Sequence, residues 1–77
     1  MKEEDLILTI FNRTMHTSFT DLNIARNQFP EWDSMKHAEL IIELQKKFKI
    51  KFKVKDVIDI RNATEFLSII NRINKKF

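Results

Sequence analysis

Residues 32–52 decide the fold, and their sequence is WDSMKHAELIIELQKKFKIKF. Apolar side chains recur along it close to the i, i+3, i+4, i+7 spacing of an amphipathic helix, with the charged residues mostly off that stripe. The stripe consists of Ala38, Leu40, Ile41, Leu44 and Phe48. Asp33 or Ser34 can cap this helix by accepting a backbone N–H that the first turn leaves unpaired. We therefore expect the strongest helix of the chain to begin at Ser34.

Two more helices are predicted towards the ends of the chain. Acidic residues at 3–5 suit a helix N-terminus, and apolar residues then recur at helical spacing, so we expect a helix over 3–14. Residues 62–65 have the spacing of a capping box and precede an apolar run, which predicts a last helix over 63–74. The positive charges of Lys75 and Lys76 would then suit the C-terminal end of its dipole.

The segment between the first two helices, residues 16–33, has no helical periodicity and contains several turn formers, among them Pro30. Leu22, Ile24 and Phe29 are scattered apolar anchors within it. Loops of this length in compact domains are usually functional or disordered, and the anchors favour function. We expect a long loop that is attached to the core.

Residues 47–55, KFKIKFKVK, alternate lysine with apolar residues, which by period alone predicts a strand. No second segment alternates in this way, and a lone strand is not stable without a partner. We therefore predict the end of a helix, an extended connector and a short helix over 55–60.

Length and composition limit the function classes. A chain of 77 residues forms a single domain with little room for an enclosed active site. It has no cysteine, so helix packing alone must stabilise it, which suits a reducing compartment. The acidic N-terminus does not resemble a signal peptide, and no apolar run approaches the length that spans a bilayer. These features predict a cytoplasmic protein.

Charge is distributed unevenly. Residues 1–34 carry three Lys/Arg and six Asp/Glu, whereas residues 35–77 carry eleven and five. A basic half of this kind is also found in small domains that bind nucleic acid or an anionic membrane surface, which is the alternative function class.

Residues suited to catalysis are few. Asp33, Ser34 and His37 could be imagined as a nucleophilic set, but one exposed helical turn supplies neither an orienting third group nor oxyanion donors. Two histidines so distant in sequence do not form a metal site. We expect His37 to be a solvated helix residue and the chain not to be an enzyme.

The residues around Ser34 resemble the Asp-Ser-Leu helix of acyl and peptidyl carrier proteins. The matching positions are Trp32, Asp33, Ser34, Met35, His37, Leu40, Ile41, Leu44, Phe48, Ile50 and Phe52. The resemblance continues at lower strength over the rest of the chain. It implies an all-α fold, a four-helix bundle with three main helices, a short third helix and a long loop after the first.

The resemblance also implies a role for each residue of the motif. Ser34 would receive 4′-phosphopantetheine from coenzyme A through a phosphopantetheinyl transferase, and Asp33 would help that enzyme present its magnesium ion. The thiol of the arm would then carry acyl or aminoacyl thioesters from an activating enzyme to downstream transferases. The carrier itself would act as a monomer, without binding nucleic acid or a membrane.

Two further sets of residues follow from the resemblance. The predicted acyl pocket consists of Ile41, Phe52, Val57 and Ile60. The predicted partner-docking residues on the second helix are Met35, Lys36, Ile42, Lys46 and Lys47. Ordinary core packing and a solvated surface are the alternative explanations for the two sets.

The chain also departs from the family. Fatty-acid carriers are strongly acidic along the second helix, whereas Lys36, Lys46 and Lys47 lie on the corresponding helix here. Met35 replaces the usual leucine, a swap that costs little. Trp32 before the motif and His37 within it make the sequence resemble a subgroup of stand-alone carriers. These serve specialised pathways, such as amino-acid activation, polysaccharide decoration or secondary metabolism. A carrier-like adaptor that has lost its modification is a third alternative. The presence of Asp33 and Ser34 argues against it, because an unmodified adaptor would not require the attachment motif.

Overall fold

The computed structural model describes residues 2–74, and within that range the chain is an all-α bundle. The α-helices are α1, Glu3–Met15; α2, Ser34–Phe48; α3, Val54–Val57; and α4, Thr64–Asn74. A single 3-10 turn, Arg26–Gln28, interrupts the long loop between α1 and α2. The predicted fold class and element order are confirmed. The roles predicted for Lys75 and Lys76 lie outside the described residues.

Local signals account for the bounds of α2. Asp33 is the N-cap, and its carboxylate accepts the backbone N–H of Lys36 at 2.9 Å. At the other end Lys49 adopts the left-handed conformation with φ of 55°, and its N–H donates a hydrogen bond to the carbonyl of Gln45. The helix therefore begins where the sequence predicts and stops inside the alternating lysine segment.

That alternating segment is a connector, as predicted, and no β-ladder forms in residues 2–74. The only β-type contact in that range is an isolated bridge between Ala25 and Asn62. Ile50 and Phe52 are half-buried against the core, while the lysines between them are exposed. The backbone N–H of Phe52 donates to the side-chain oxygen of Gln45 at 2.9 Å, so α2 holds the connector directly.

The predicted bounds of the third helix are wrong. α3 spans Val54–Val57, whereas the prediction was 55–60. Ile58 is its C-cap and is exposed, and Ile60 follows in a turn that buries its side chain. The helix stops early because the chain has to turn here to place Ile60 and Ala63 in the core.

Helices α1, α2 and α4 enclose the core. Its largest fully buried side chains are Phe11, Phe66, Ile7, Leu22, Leu40, Leu44, Ile60 and Ile70. Phe11 meets Trp32 edge-on at 5.2 Å between ring centroids, and Trp32 stacks on Phe66 at 6.0 Å. Aromatic pairs in such geometries add stability beyond the apolar area that they bury. They attach the end of the long loop to the bundle.

One face of α2 differs from the prediction. His37 is buried, with 8% of its surface exposed, and Ala38 points to solvent. The prediction of a solvated His37 and of Ala38 in the buried stripe is therefore wrong. The imidazole can be buried because both of its nitrogens find hydrogen-bond partners there.

No helix within residues 2–74 is both long enough and apolar enough to cross a membrane.

Candidate functional site

Ser34 is the first residue of α2 and is exposed. No hydrogen bond within residues 2–74 engages its hydroxyl. The side chain that caps this end of α2 is that of Asp33, so the Ser34 hydroxyl is not used for capping. A helix N-terminus presents unpaired N–H groups and the positive end of the helix dipole. The hydroxyl is thus accessible at a position that favours a negatively charged substituent.

The residues on either side of Ser34 are fixed by a buried hydrogen-bond chain. The indole N–H of Trp32 donates to Nδ1 of His37 at 3.0 Å, and Nε2–H of His37 donates to the carbonyl of Val57 at 2.7 Å. An indole can only donate and a carbonyl can only accept, so His37 is the neutral tautomer with its proton on Nε2. One imidazole therefore joins the long loop, α2 and α3.

This arrangement also decides the chemistry of His37. Burial lowers its pKa below the ordinary value of 6.5, the hydrogen bond to Val57 acts in the opposite direction, and the charge of Arg26 lowers it again. Both ring nitrogens are directed at Trp32 and Val57. Neither is left to take a proton from Ser34, so the residues do not form a nucleophile–base pair.

An open cleft of about 730 Å³ lies beside Trp32, between the long loop and the segment that joins α3 to α4. Ala25 to Asn27 border one side and Ile58 to Asn62 the other. Two backbone hydrogen bonds fix the separation of these segments, Arg26 N–H to the Arg61 carbonyl at 2.7 Å and Ala63 N–H to the Ile24 carbonyl at 3.0 Å. The cleft is therefore a built feature of the fold.

The four residues predicted to line an acyl pocket are not brought to one cavity. Val57 and Ile60 are buried, whereas Ile41 and Phe52 are half-buried and pack against the core. Of the four, Ile60 alone borders the open cleft. In this conformation the others contribute to core packing, which leaves the acyl pocket a prediction.

The predicted docking residues lie on the outer surface of α2, as their positions require. Met35 is 75% exposed and Ile42 49% exposed, and Lys46 and Lys47 are also exposed. Lys36 is half-buried, because its ammonium reaches the carbonyl of Thr14 at 3.4 Å and the carboxylate of Glu39 at 3.6 Å. Lys46 is likewise partly engaged, by the carboxylate of Glu43 at 3.8 Å, so Met35, Ile42 and Lys47 are the more accessible of the five.

Sequence reasoning missed the role of the long loop and of the α3–α4 segment in forming the cleft. Arg26 and Arg61 border it and are 35 positions apart in the chain. Neither arginine belongs to a recognisable motif. Trp32 was the available signal, since a tryptophan next to a helix cap needs both an apolar environment and a partner for its N–H.

No protein-family model and no curated protein sequence matches the chain. Among solved structures, it is similar to the solution NMR structure of a holo acyl carrier protein from Geobacter metallireducens. The TM-score is 0.82 at 24% sequence identity, over 96% of this chain and 87% of that one. The similarity extends over all four helices and the long loop. The chain therefore has the fold of an acyl carrier protein.

Proposed function

We propose that the chain is an acyl carrier protein and that Ser34 carries 4′-phosphopantetheine. The observation that carries the proposal is an exposed serine hydroxyl that has no hydrogen-bond partner within residues 2–74, at the first position of a 15-residue helix in the carrier fold. A phosphodiester there would meet unpaired N–H groups and a favourable dipole. The protein would supply the attachment point, and the thiol of the arm would hold the cargo as a thioester.

Asp33 would have two tasks in this scheme. One carboxylate oxygen accepts the N–H of Lys36 and caps α2. The other remains available to the magnesium ion of a phosphopantetheinyl transferase, because carboxylate oxygens are preferred Mg²⁺ ligands. Asp33→Asn would keep a capping oxygen and weaken the metal contact, so it should slow attachment more than it destabilises α2.

The partners would be a transferase, an acyl- or aminoacyl-activating enzyme and the enzymes that accept the cargo. Met35 and Ile42 offer them apolar contacts, and Lys46 and Lys47 offer positive charge. Those enzymes should present acidic patches, unlike the enzymes that serve acidic carriers. A specialised pathway is therefore the more suitable setting than general fatty-acid synthesis.

The deciding experiment is incubation with coenzyme A, magnesium and a broad-specificity phosphopantetheinyl transferase, followed by intact mass measurement. We expect one arm per chain on the wild type and none on Ser34→Ala. Ser18→Ala and Ser68→Ala are matched controls, since both serines are exposed and neither begins α2. Absence of the arm with several transferases, or attachment at Ser18 or Ser68, would refute the proposal.

One observation favours a second function. All five lysines of the alternating segment, Lys47, Lys49, Lys51, Lys53 and Lys55, are exposed. They could contact nucleic acid or an anionic membrane surface, although solvated lysines are the usual outcome of such a run. Tight, sequence-independent DNA binding with a steep salt dependence would support that function. An unmodified adaptor would instead leave Ser34 without an arm.

A further inference from the structure

The two methionines within residues 2–74 lie in opposite environments. Met35 is 75% exposed, whereas Met15 is only 7% exposed and belongs to the core. Met35 is the second residue of α2 and directly follows Ser34. A thioether is therefore open to solvent beside the serine to which we assign the arm.

An enzyme that modifies Ser34 must also cover Met35. Neighbouring Cα atoms are about 3.8 Å apart. A specific protein interface buries about 800 Å² on each partner, which corresponds to a patch with a radius of roughly 16 Å. A patch that brings the Ser34 hydroxyl to the reaction centre of a transferase therefore includes Met35, and the thioether loses its contact with water when that enzyme binds.

Oxidation changes the polarity of this side chain. Hydrogen peroxide transfers one oxygen to the sulfur: the O–O bond breaks, an S=O bond forms, the sulfur gives up two electrons, and the second oxygen leaves as water. The product is methionine sulfoxide, which is polar where the thioether is apolar, and methionine sulfoxide reductases return it to the thioether. The chain has no cysteine, so no thiol of the protein competes for the peroxide before an arm is attached.

Building on the proposed function, we propose that Met35 is a reversible oxidation site and that its sulfoxide slows the attachment of the arm to Ser34. A sulfoxide gives up its hydrogen bonds to water when a transferase covers it, and an apolar contact does not replace them. The loss falls on binding, because Met35 supplies no group to the reaction itself. Peroxide would thus keep new chains without an arm until the sulfoxide is reduced.

The first measurement is the site of oxidation. The protein without an arm is treated with hydrogen peroxide for increasing times, and peptide mass spectrometry follows the gain of one oxygen at each methionine. We expect Met35 to react about ten times faster than Met15, in proportion to their exposed fractions of 75% and 7%. Equal rates at the two residues would overturn the proposal, because the fold would then not single out Met35.

The second measurement compares arm attachment to the oxidised and the untreated protein, with coenzyme A, magnesium and a phosphopantetheinyl transferase. Oxidation should raise the KM for the carrier about five- to tenfold, the effect of desolvating a polar group that finds no partner, with kcat unchanged. Reduction by methionine sulfoxide reductases, one for each epimer, should restore the untreated value. Circular dichroism should not change, since the Met35 side chain is exposed.

Matched variants assign the effect to one sulfur. Met35→Leu removes the sulfur at similar volume, so its KM should be the same before and after peroxide, whatever its value before treatment. It retains Met1 and Met15 and therefore also reports the effect of oxidation at those residues. Met15→Leu retains Met35 and should still respond to peroxide as the wild type does.

The outcomes separate the two proposals. Failure of the untreated protein to accept an arm from several transferases refutes the carrier function, and this inference with it. Attachment that is as fast with Met35 oxidised as before leaves the carrier function intact and overturns the inference. An equal rise in KM for oxidised wild type and oxidised Met35→Leu also overturns it, because the decisive oxidation would then lie elsewhere in the chain.

Discussion

His37 is the residue on which the geometry around Ser34 depends. It lies one turn into α2, accepts the indole N–H of Trp32 and donates to the carbonyl of Val57. Three segments therefore converge on one imidazole that must be neutral to make both bonds. A protonated ring would turn Nδ1 into a donor facing another donor, so protonation and the present arrangement exclude each other.

A pH dependence of stability follows from this. Because burial lowers the pKa of His37 in the folded state, the unfolded chain takes up a proton first as the pH falls below 6.5. The contribution of His37 is complete above pH 6.5 and is lost as the pH falls through the lowered folded-state pKa. Urea denaturation across this interval should show a falling free energy of unfolding.

Two variants isolate the effect. His37→Phe should lower the free energy of unfolding by about 1–3 kcal/mol at neutral pH, since it leaves the Trp32 N–H and the Val57 carbonyl unpaired. It should also flatten the pH dependence below 6.5. His16→Asn is the control, because His16 is exposed and asparagine tolerates its left-handed backbone. An unchanged slope in His37→Phe would contradict the argument.

At the scale of the elements, the absence of glycine affects how helices end. α1 and α2 both stop at a left-handed residue, His16 with φ of 59° and Lys49 with φ of 55°. Helices commonly use glycine at this position because a Cβ costs about 1–2 kcal/mol there. Because His16 and Lys49 both have a Cβ in this conformation, the backbone is strained at the ends of both helices.

Replacing one of these residues should therefore stabilise the protein. Lys49→Gly should raise the free energy of unfolding by about 1 kcal/mol, measured by urea denaturation. Lys51→Gly is the matched control within the same connector, since Lys51 does not have a positive φ and glycine there only adds freedom to the unfolded chain. Equal effects of the two substitutions would show that Lys49 is not strained.

The elements also show where sequence reasoning succeeds. α2 was predicted because its cap, its periodicity and its length are all local properties of the sequence. The connector was ambiguous, because its alternation favours a strand and only the lack of a partner argues against one. Its path is fixed by the contact from Gln45 to Phe52. The end of α3 depends on core contacts of Ile60 that no local pattern encodes.

At the candidate site, too, features encoded locally could be predicted from the sequence, and features that depend on distant contacts could not. Asp33 as the cap of α2 and Ser34 as its first residue could be predicted, because a cap and the periodic run that follows it are contiguous in sequence. The burial of His37 could not, since one of its partners is 20 residues away in the chain. The cleft was equally hidden, because its two borders are joined by the Arg26–Arg61 backbone hydrogen bond between distant segments. Non-local contacts of this kind leave no periodic signal.

At the scale of the whole molecule, charge separates two explanations of the basic half. Lys46 and Lys47 are exposed on the same helix, α2, as the exposed apolar residues Met35 and Ile42. This combination suits a protein partner, since apolar contacts add affinity while charge steers the encounter. Binding to nucleic acid would depend on the positive charge, and exposed apolar side chains such as Met35 and Ile42 would not contribute to it.

The two explanations predict different responses to charge reversal. If α2 is the docking surface, the double variant Lys46→Glu and Lys47→Glu should slow arm attachment by a transferase from the same genome about two- to fivefold, with helicity unchanged by circular dichroism. The wild-type rate should itself fall as added salt screens the encounter. Lys53→Glu with Lys55→Glu is the matched control, because it changes the net charge equally away from α2.

Binding to DNA is measured on the same proteins. Counterion release makes non-specific binding fall steeply with salt and depend on the number of lysines more than on their position. We expect only weak retention on DNA at physiological salt, affected similarly by both double variants. Submicromolar DNA binding that both double variants abolish, with arm attachment unaltered, would assign the basic half to nucleic acid. Slower attachment in the α2 variant alone would assign it to the enzymes that load the carrier.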